Sequence, residues 1–112
     1  MRNEIKDLET YTSITTAIDF GEHVVFIKMG AEWCIPCIEL EKVLISIPNS
    51  IFYNVSIDNI NFESFFIENK IYAVPHTFVF YKKVKEQFAG VRTEEQISGL
   101  IKKLKCTFIA KK

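Results

Sequence analysis

Apolar residues along this chain change period several times, and each change marks an element. From about Glu9 to Phe20 the positions Leu8, Tyr11, Ile14, Ala17 and Ile18 recur at helical spacing, with Gly21 as a stop signal. The run His23 to Met29 is continuously apolar and β-branched but for Lys28, which predicts a strand buried on both faces. Cys37, Leu40, Val43, Leu44 and Ile47 then line one face of a helix that must close near Pro48. A second strand is expected at Ile51 to Ile57, followed by a short helix from Asn61 to Lys70 carrying Phe62, Phe65 and Phe66. Thr77 to Tyr81 and Val84 to Ala89 read as consecutive strands, a hairpin across Lys82-Lys83 without the preferred Asn-Gly turn. The last helix spans Thr93 to Lys105, with Thr93 as N-cap, Gln96 as its capping-box partner, and Ile97, Leu100, Ile101 and Leu104 facing inward. The order βαβ followed by ββα implies an α/β fold, a mixed sheet with helices on both faces.

Composition narrows the setting. At 112 residues and 48% hydrophobic content the chain is expected to be one domain, residues 1–112, with one real core. Lys plus Arg balances Asp plus Glu at 14 each, and the basic residues are scattered, so neither nucleic acid nor a membrane surface is expected as partner. The local excess from Lys102 to Lys112 reads as the solvated end of the last helix. Met1 to Asp7 contains no apolar stretch of signal-peptide length, and no run approaches a membrane span, so a cytoplasmic protein is expected.

Three cysteines do not make a disulfide framework, because one is left over and a reducing compartment would open exposed bridges. Trp33-Cys34-Ile35-Pro36-Cys37 instead places two thiols where a strand gives way to a helix. Unpaired N–H groups and the helix dipole there favour a Cys34 thiolate, and one helical turn brings Cys37 within reach of any mixed disulfide that Cys34 forms. Lowering a thiol pKa from about 8.5 to about 7 gains only about threefold in attack rate, because nucleophilicity falls with basicity. Holding the second thiol in place contributes far more, since oriented groups reach effective molarities of about 10⁵ M. A zinc site would need four ligands, and beyond the pair the chain offers Cys106, His23 and His76 at no finger-like spacing, so no metal is expected. Cys106 reads as a small apolar filler, and the three phenylalanines read as core.

The sequence resembles the thioredoxin family along nearly its whole length. The resemblance is carried by Val24 to Met29, Ala31-Glu32-Trp33-Cys34-Ile35-Pro36-Cys37, Ile57-Asp58, Val74-Pro75, Phe78-Val79-Phe80 and Gly90 ahead of the final helix. It implies a thioredoxin-like fold, a central mixed sheet of four to five strands with helices on both faces. The implied activity is thiol-disulfide oxidoreduction of the protein-disulfide reductase type, without cofactor. Cys34 would be the attacking thiolate and Cys37 the resolving thiol, and Trp33 would shield them. Pro75 would follow a cis peptide bond facing the cysteines, leaving the Val74 backbone to pair with a substrate segment. Ile35, Pro36 and Gly90 complete the implied substrate surface. Disulfide-containing proteins are the implied substrates and a flavoprotein thioredoxin reductase the implied electron donor of a monomer. Pro36 brings neither charge nor an N–H between the cysteines, which points to a reductant. Ile35 replaces the usual glycine and adds apolar surface beside Cys34.

The chain departs from the family beneath the motif. Where thioredoxins usually carry a buried aspartate there is Lys28, and the lysine usually partnered with it aligns with Asn54. Lys28 either snorkels its ammonium to the sheet edge or acts on Cys37. As a neutral amine it would take that thiol's proton; as a cation it would stabilise the thiolate. His76 stands where threonine is usual and is a candidate pH-sensitive modulator or a plain strand-start histidine. The broken relay leaves a second functional reading, a thioredoxin-like binding module without turnover.

Overall fold

The computed structural model describes residues 3–17 and 21–110. Five strands, β1 (Asn3–Glu4), β2 (Val24–Gly30), β3 (Ser50–Ser56), β4 (His76–Tyr81) and β5 (Val84–Ala89), form one sheet in the order β1-β3-β2-β4-β5. β1, β3 and β2 run parallel, and β4 and β5 are antiparallel to their neighbours. The sheet is mixed, and it is flanked by four helices: α1 (Leu8–Thr16), α2 (Ile35–Ser46), α3 (Glu63–Glu68) and α4 (Glu94–Ala110).

All seven residues of β2 are buried, as expected of a central strand. Strand alternation divides them. Val25, Ile27 and Met29 join Tyr11, Phe62 and Phe66 beneath α1 and α3, while Val24 and Phe26 join Leu40, Leu44, Ile97 and Leu104 beneath α2 and α4. Lys28 shares the second face. The phenylalanines of the 60s pack edge-to-face around Tyr11 and Phe78 as core.

Boundaries differ from expectation where tertiary contacts or side-chain hydrogen bonds override periodicity. α1 stops at Thr16, because Ala17 is extended (φ −59°, ψ 126°) and the Thr15 and Thr16 hydroxyls bond back to the Tyr11 and Thr12 carbonyls. Gly21, at φ +62°, serves the turn into β2. The expected continuation through Ile18 to Phe20 lies outside the described residues. The helix expected from Asn61 to Lys70 is a 3-10 turn at Ile60–Phe62 followed by the short α3. α4 continues to Ala110 because Phe108 docks edge-on against Tyr81 at 5.7 Å. Lys111 and Lys112 lie outside the described residues. Cys106 is exposed rather than a core filler, since it falls off the stripe set by Ile97 and Leu104. The Thr93–Gln96 capping box forms with reciprocal bonds of 2.9 and 3.1 Å. β1 has no counterpart in the sequence pattern: it is two residues long and exposed, and it is anchored by buried Ile5, whose N–H donates to Asn54 O at 2.9 Å. Among the described residues no helix is long and apolar enough to cross a membrane.

Candidate active site

β2 ends at Gly30, and a tight turn through Ala31, Glu32 and Trp33 delivers Cys34 to the N-cap of α2. Cys34 and Cys37 are joined as a disulfide, their Cα atoms 5.3 Å apart. The Cys34 sulfur accepts the Cys37 N–H at 3.2 Å, so it occupies the place of a capping oxygen in the positive end of the helix. Pro36 lies in the first turn, where its missing N–H leaves no helical bond unmade. Ile35 and Pro36 are exposed on the outer side, and Trp33, also exposed, is held by its indole N–H donating to Asp58 at 3.2 Å.

The loop before β4 faces this corner. The Val74–Pro75 bond is cis, and the Val74 carbonyl oxygen lies 3.9 Å from the Cys34 sulfur. Gly90, at φ +75°, donates its N–H to the Pro75 carbonyl at 2.9 Å, which ties the end of β5 to the same loop. Trp33, Cys34, Ile35, Val74, Pro75 and Gly90 therefore converge on one end of the sheet. His76 is directed differently. Its Nε2 meets Gln87 at 2.8 Å and its ring packs edge-on against Phe78, which belongs to the cluster beneath α1 and α3.

Beneath the disulfide, strand register lines up a row across the sheet: Glu4, Asn54, Lys28, Thr77 and Phe88, each paired with the next. Lys28 does not snorkel to the edge, because its central strand and the overlying α2 leave it 2% exposed. Its Nζ donates to the Cys37 carbonyl at 3.2 Å, pairs with the Glu41 carboxylate at 3.6 Å, and lies 5.6 Å from the centre of the Phe52 ring. Asn54 commits its amide N–H₂ to Glu4 at 3.1 Å and leaves its buried carbonyl oxygen without a hydrogen-bond partner. Sequence reasoning missed Glu41; its place one helical turn beyond Cys37 was legible, but not that this turn crosses Lys28. Among the described residues no three His, Cys, Asp or Glu side chains group as metal ligands.

The corner can exchange its disulfide with thiols of an incoming chain, and its neighbours offer that chain apolar surface and a backbone carbonyl. No family model matches the chain. Over 101 residues it is 30% identical to Thioredoxin H3 of Arabidopsis thaliana, covering 85% of this chain and 83% of that protein. Among solved structures, a mutant thioredoxin from Halobacterium salinarum superposes with a TM-score of 0.72 at 20% identity, covering 92% of this chain and 89% of that one. Thioredoxin O1 from Arabidopsis thaliana in the oxidized state gives 0.71 at 20% identity, covering 92% and 96%.

Proposed function

This chain belongs to the thioredoxin family, and from that premise we propose that it runs as a protein-disulfide reductase, a cytoplasmic monomer re-reduced by a flavoprotein reductase. It is a thiol-disulfide oxidoreductase through the Cys34–Cys37 pair. The direction, the compartment, the oligomeric state and the donor are the proposed part.

The observation that carries the reading is the placement of the pair at the helix N-terminus with unequal access: Cys34 is 5% exposed and Cys37 1%. Cys34, the outer sulfur in the positive end of α2, is the one that an incoming disulfide reaches, and its thiolate attacks. A mixed disulfide forms and one substrate sulfur leaves. Cys37 then attacks the Cys34 sulfur, closes the internal disulfide and releases the second substrate thiol. The Val74 carbonyl beside Cys34 is available to accept from a substrate N–H, aligning the scissile bond by strand addition. Pro36 supports the reducing direction, since it adds no charge that would stabilise the thiolate form.

Insulin disulfide reduction driven by a chemical dithiol tests the reading, with activity expected in the parent and lost in Cys34→Ser. An inert parent would instead favour the binding-module reading. The potential of the couple tests direction: about −270 mV marks a reductant and about −120 mV an oxidant.

A further inference from the structure

Among the described residues Lys28 is the one charged side chain that the fold buries almost completely. Its stem and the Cys37 sulfur meet at one point. A Cβ added to Gly30 would lie 3.0 Å from Lys28 Cε, 3.4 Å from Cys37 Sγ and 3.5 Å from Asn54 Oδ1. The lysine and the inner sulfur are thus no more than two contact distances apart.

The groups seen against the Lys28 head favour the cation. From α2 come the Glu41 carboxylate and the Cys37 carbonyl, and from β3 comes the Phe52 ring face. Thr77 flanks it from β4, and Glu4 on β1 lies beyond Asn54. A neutral amine has no need of the carboxylate; an ammonium is served by both it and the carbonyl. Glu41 is 18% exposed against 2% for the lysine, so solvent screens the carboxylate more than the ammonium.

We propose that Lys28 and Glu41 are a pair of positioning residues: Glu41 holds Lys28 as the ammonium, and the ammonium stabilises the Cys37 thiolate. The proposal rests on Cys37 being the resolving thiol. In the mixed disulfide the Cys37 thiolate attacks Cys34; the Cys34–Cys37 bond forms as the Cys34–substrate bond breaks. Two electrons pass to the substrate, whose sulfur leaves as a thiolate and takes its proton from water. Lys28 keeps its proton throughout, so the site works by a fixed charge where the family's aspartate would move a proton.

The test begins with ¹³C NMR of the Lys28 side chain in the intact reduced protein. It is expected to remain protonated from pH 6 to 9; loss of the proton in that range overturns the proposal whatever the variants do. In a Cys34→Ser, Cys106→Ser background, Lys28→Met should shift the Cys37 thiol titration upward, and Lys28→Arg, which cannot act as a base, should restore it. With both cysteines present, Lys28→Met should slow substrate release about tenfold at pH 7. A tenfold loss in the dithiol–disulfide equilibrium equals about 30 mV toward more reducing potential. An unchanged Cys37 titration in Lys28→Met, or failure of Lys28→Arg to restore it, removes the lysine from the mechanism. None of these titrations requires turnover, so a parent that fails to reduce insulin sinks the reductase reading separately.

Discussion

The N–H of Gly90 donates to the carbonyl of Pro75 at 2.9 Å, one step beyond the His76–Ala89 pair, and the left-handed backbone of Gly90 (φ +75°) then turns the chain away from the sheet. The bond joins the strand that precedes α4 to the loop whose Val74 carbonyl lies against Cys34. The two ends of the β4–β5 hairpin thus hold one wall beside the Cys34 sulfur.

Gly90→Ala is expected to weaken that wall through the backbone rather than through a clash. A Cβ there would meet only Arg92 Nη1 at 3.6 Å, an ordinary contact, whereas the left-handed conformation costs an alanine about 1–2 kcal/mol. Urea unfolding should show that loss, and KM for a protein disulfide should rise while the titration of Cys34 is unchanged. Stability equal to the parent would mean the segment relaxes to another conformation without consequence.

Gly30→Ala sets two effects against each other. Removing strand glycine gains about 0.5–1 kcal/mol in backbone entropy. The new methyl, however, would press on Lys28 Cε at 3.0 Å and crowd Cys37 Sγ at 3.4 Å, and overpacking of this kind costs about 1–3 kcal/mol. Overpacking should win by about 1 kcal/mol, with slower resolution of the mixed disulfide. A variant more stable than the parent to urea would show that the space under Cys37 is looser than described.

The sequence patterns that survived intact are those with many repeats of one physical signal. β2 is a run of apolar residues with no competing turn chemistry, and α2 carries its inward positions at one spacing. The Thr93–Gln96 box is a local hydrogen-bond exchange that needs nothing from the rest of the chain. β1 was illegible because a two-residue edge strand has no period; only pairing with β3 makes it a strand. Of the site, Cys34, Cys37 and Pro75 could be located from the motif and the resemblance. The Lys28–Glu41 contact could not, because it depends on which turn of α2 crosses which residue of β2, and that register is set by packing of the helix on the sheet.

Trp33 is the single tryptophan, so its emission reports on the mouth of the site alone. Its indole is largely exposed and is held by one hydrogen bond to Asp58 at 3.2 Å. Asp58→Ala should free the ring, lowering its fluorescence anisotropy, with a stability change of no more than about 0.5–1.5 kcal/mol because the bond is exposed. Turnover of a bulky protein disulfide should fall more than that of a small aromatic disulfide, since only the former spans Trp33. Unaltered anisotropy would show that the ring is held by packing and not by the carboxylate.

Burial of Tyr11 between α1 and the sheet makes the fold sensitive to alkali. The phenol pKa is pushed up to about 12 by burial, from an ordinary value of 10.0. Between those values the folded chain binds more protons than the unfolded one, so stability is full below about pH 10 and falls as pH rises toward 12. Two pH units at about 1.4 kcal/mol each give a loss of roughly 3 kcal/mol. Tyr11→Phe keeps the ring that meets Phe62 and Phe65 edge-on but carries no titrating hydroxyl. Lysines also titrate in this range, yet they do so in both proteins and cancel in the difference. The unfolding free energy of Tyr11→Phe relative to the parent should therefore move by about 2–3 kcal/mol in favour of the variant between about pH 9 and about pH 12. A difference that stays constant across that interval would mean that the hydroxyl reaches water in the folded protein, and that the face of the sheet under α1 is not sealed.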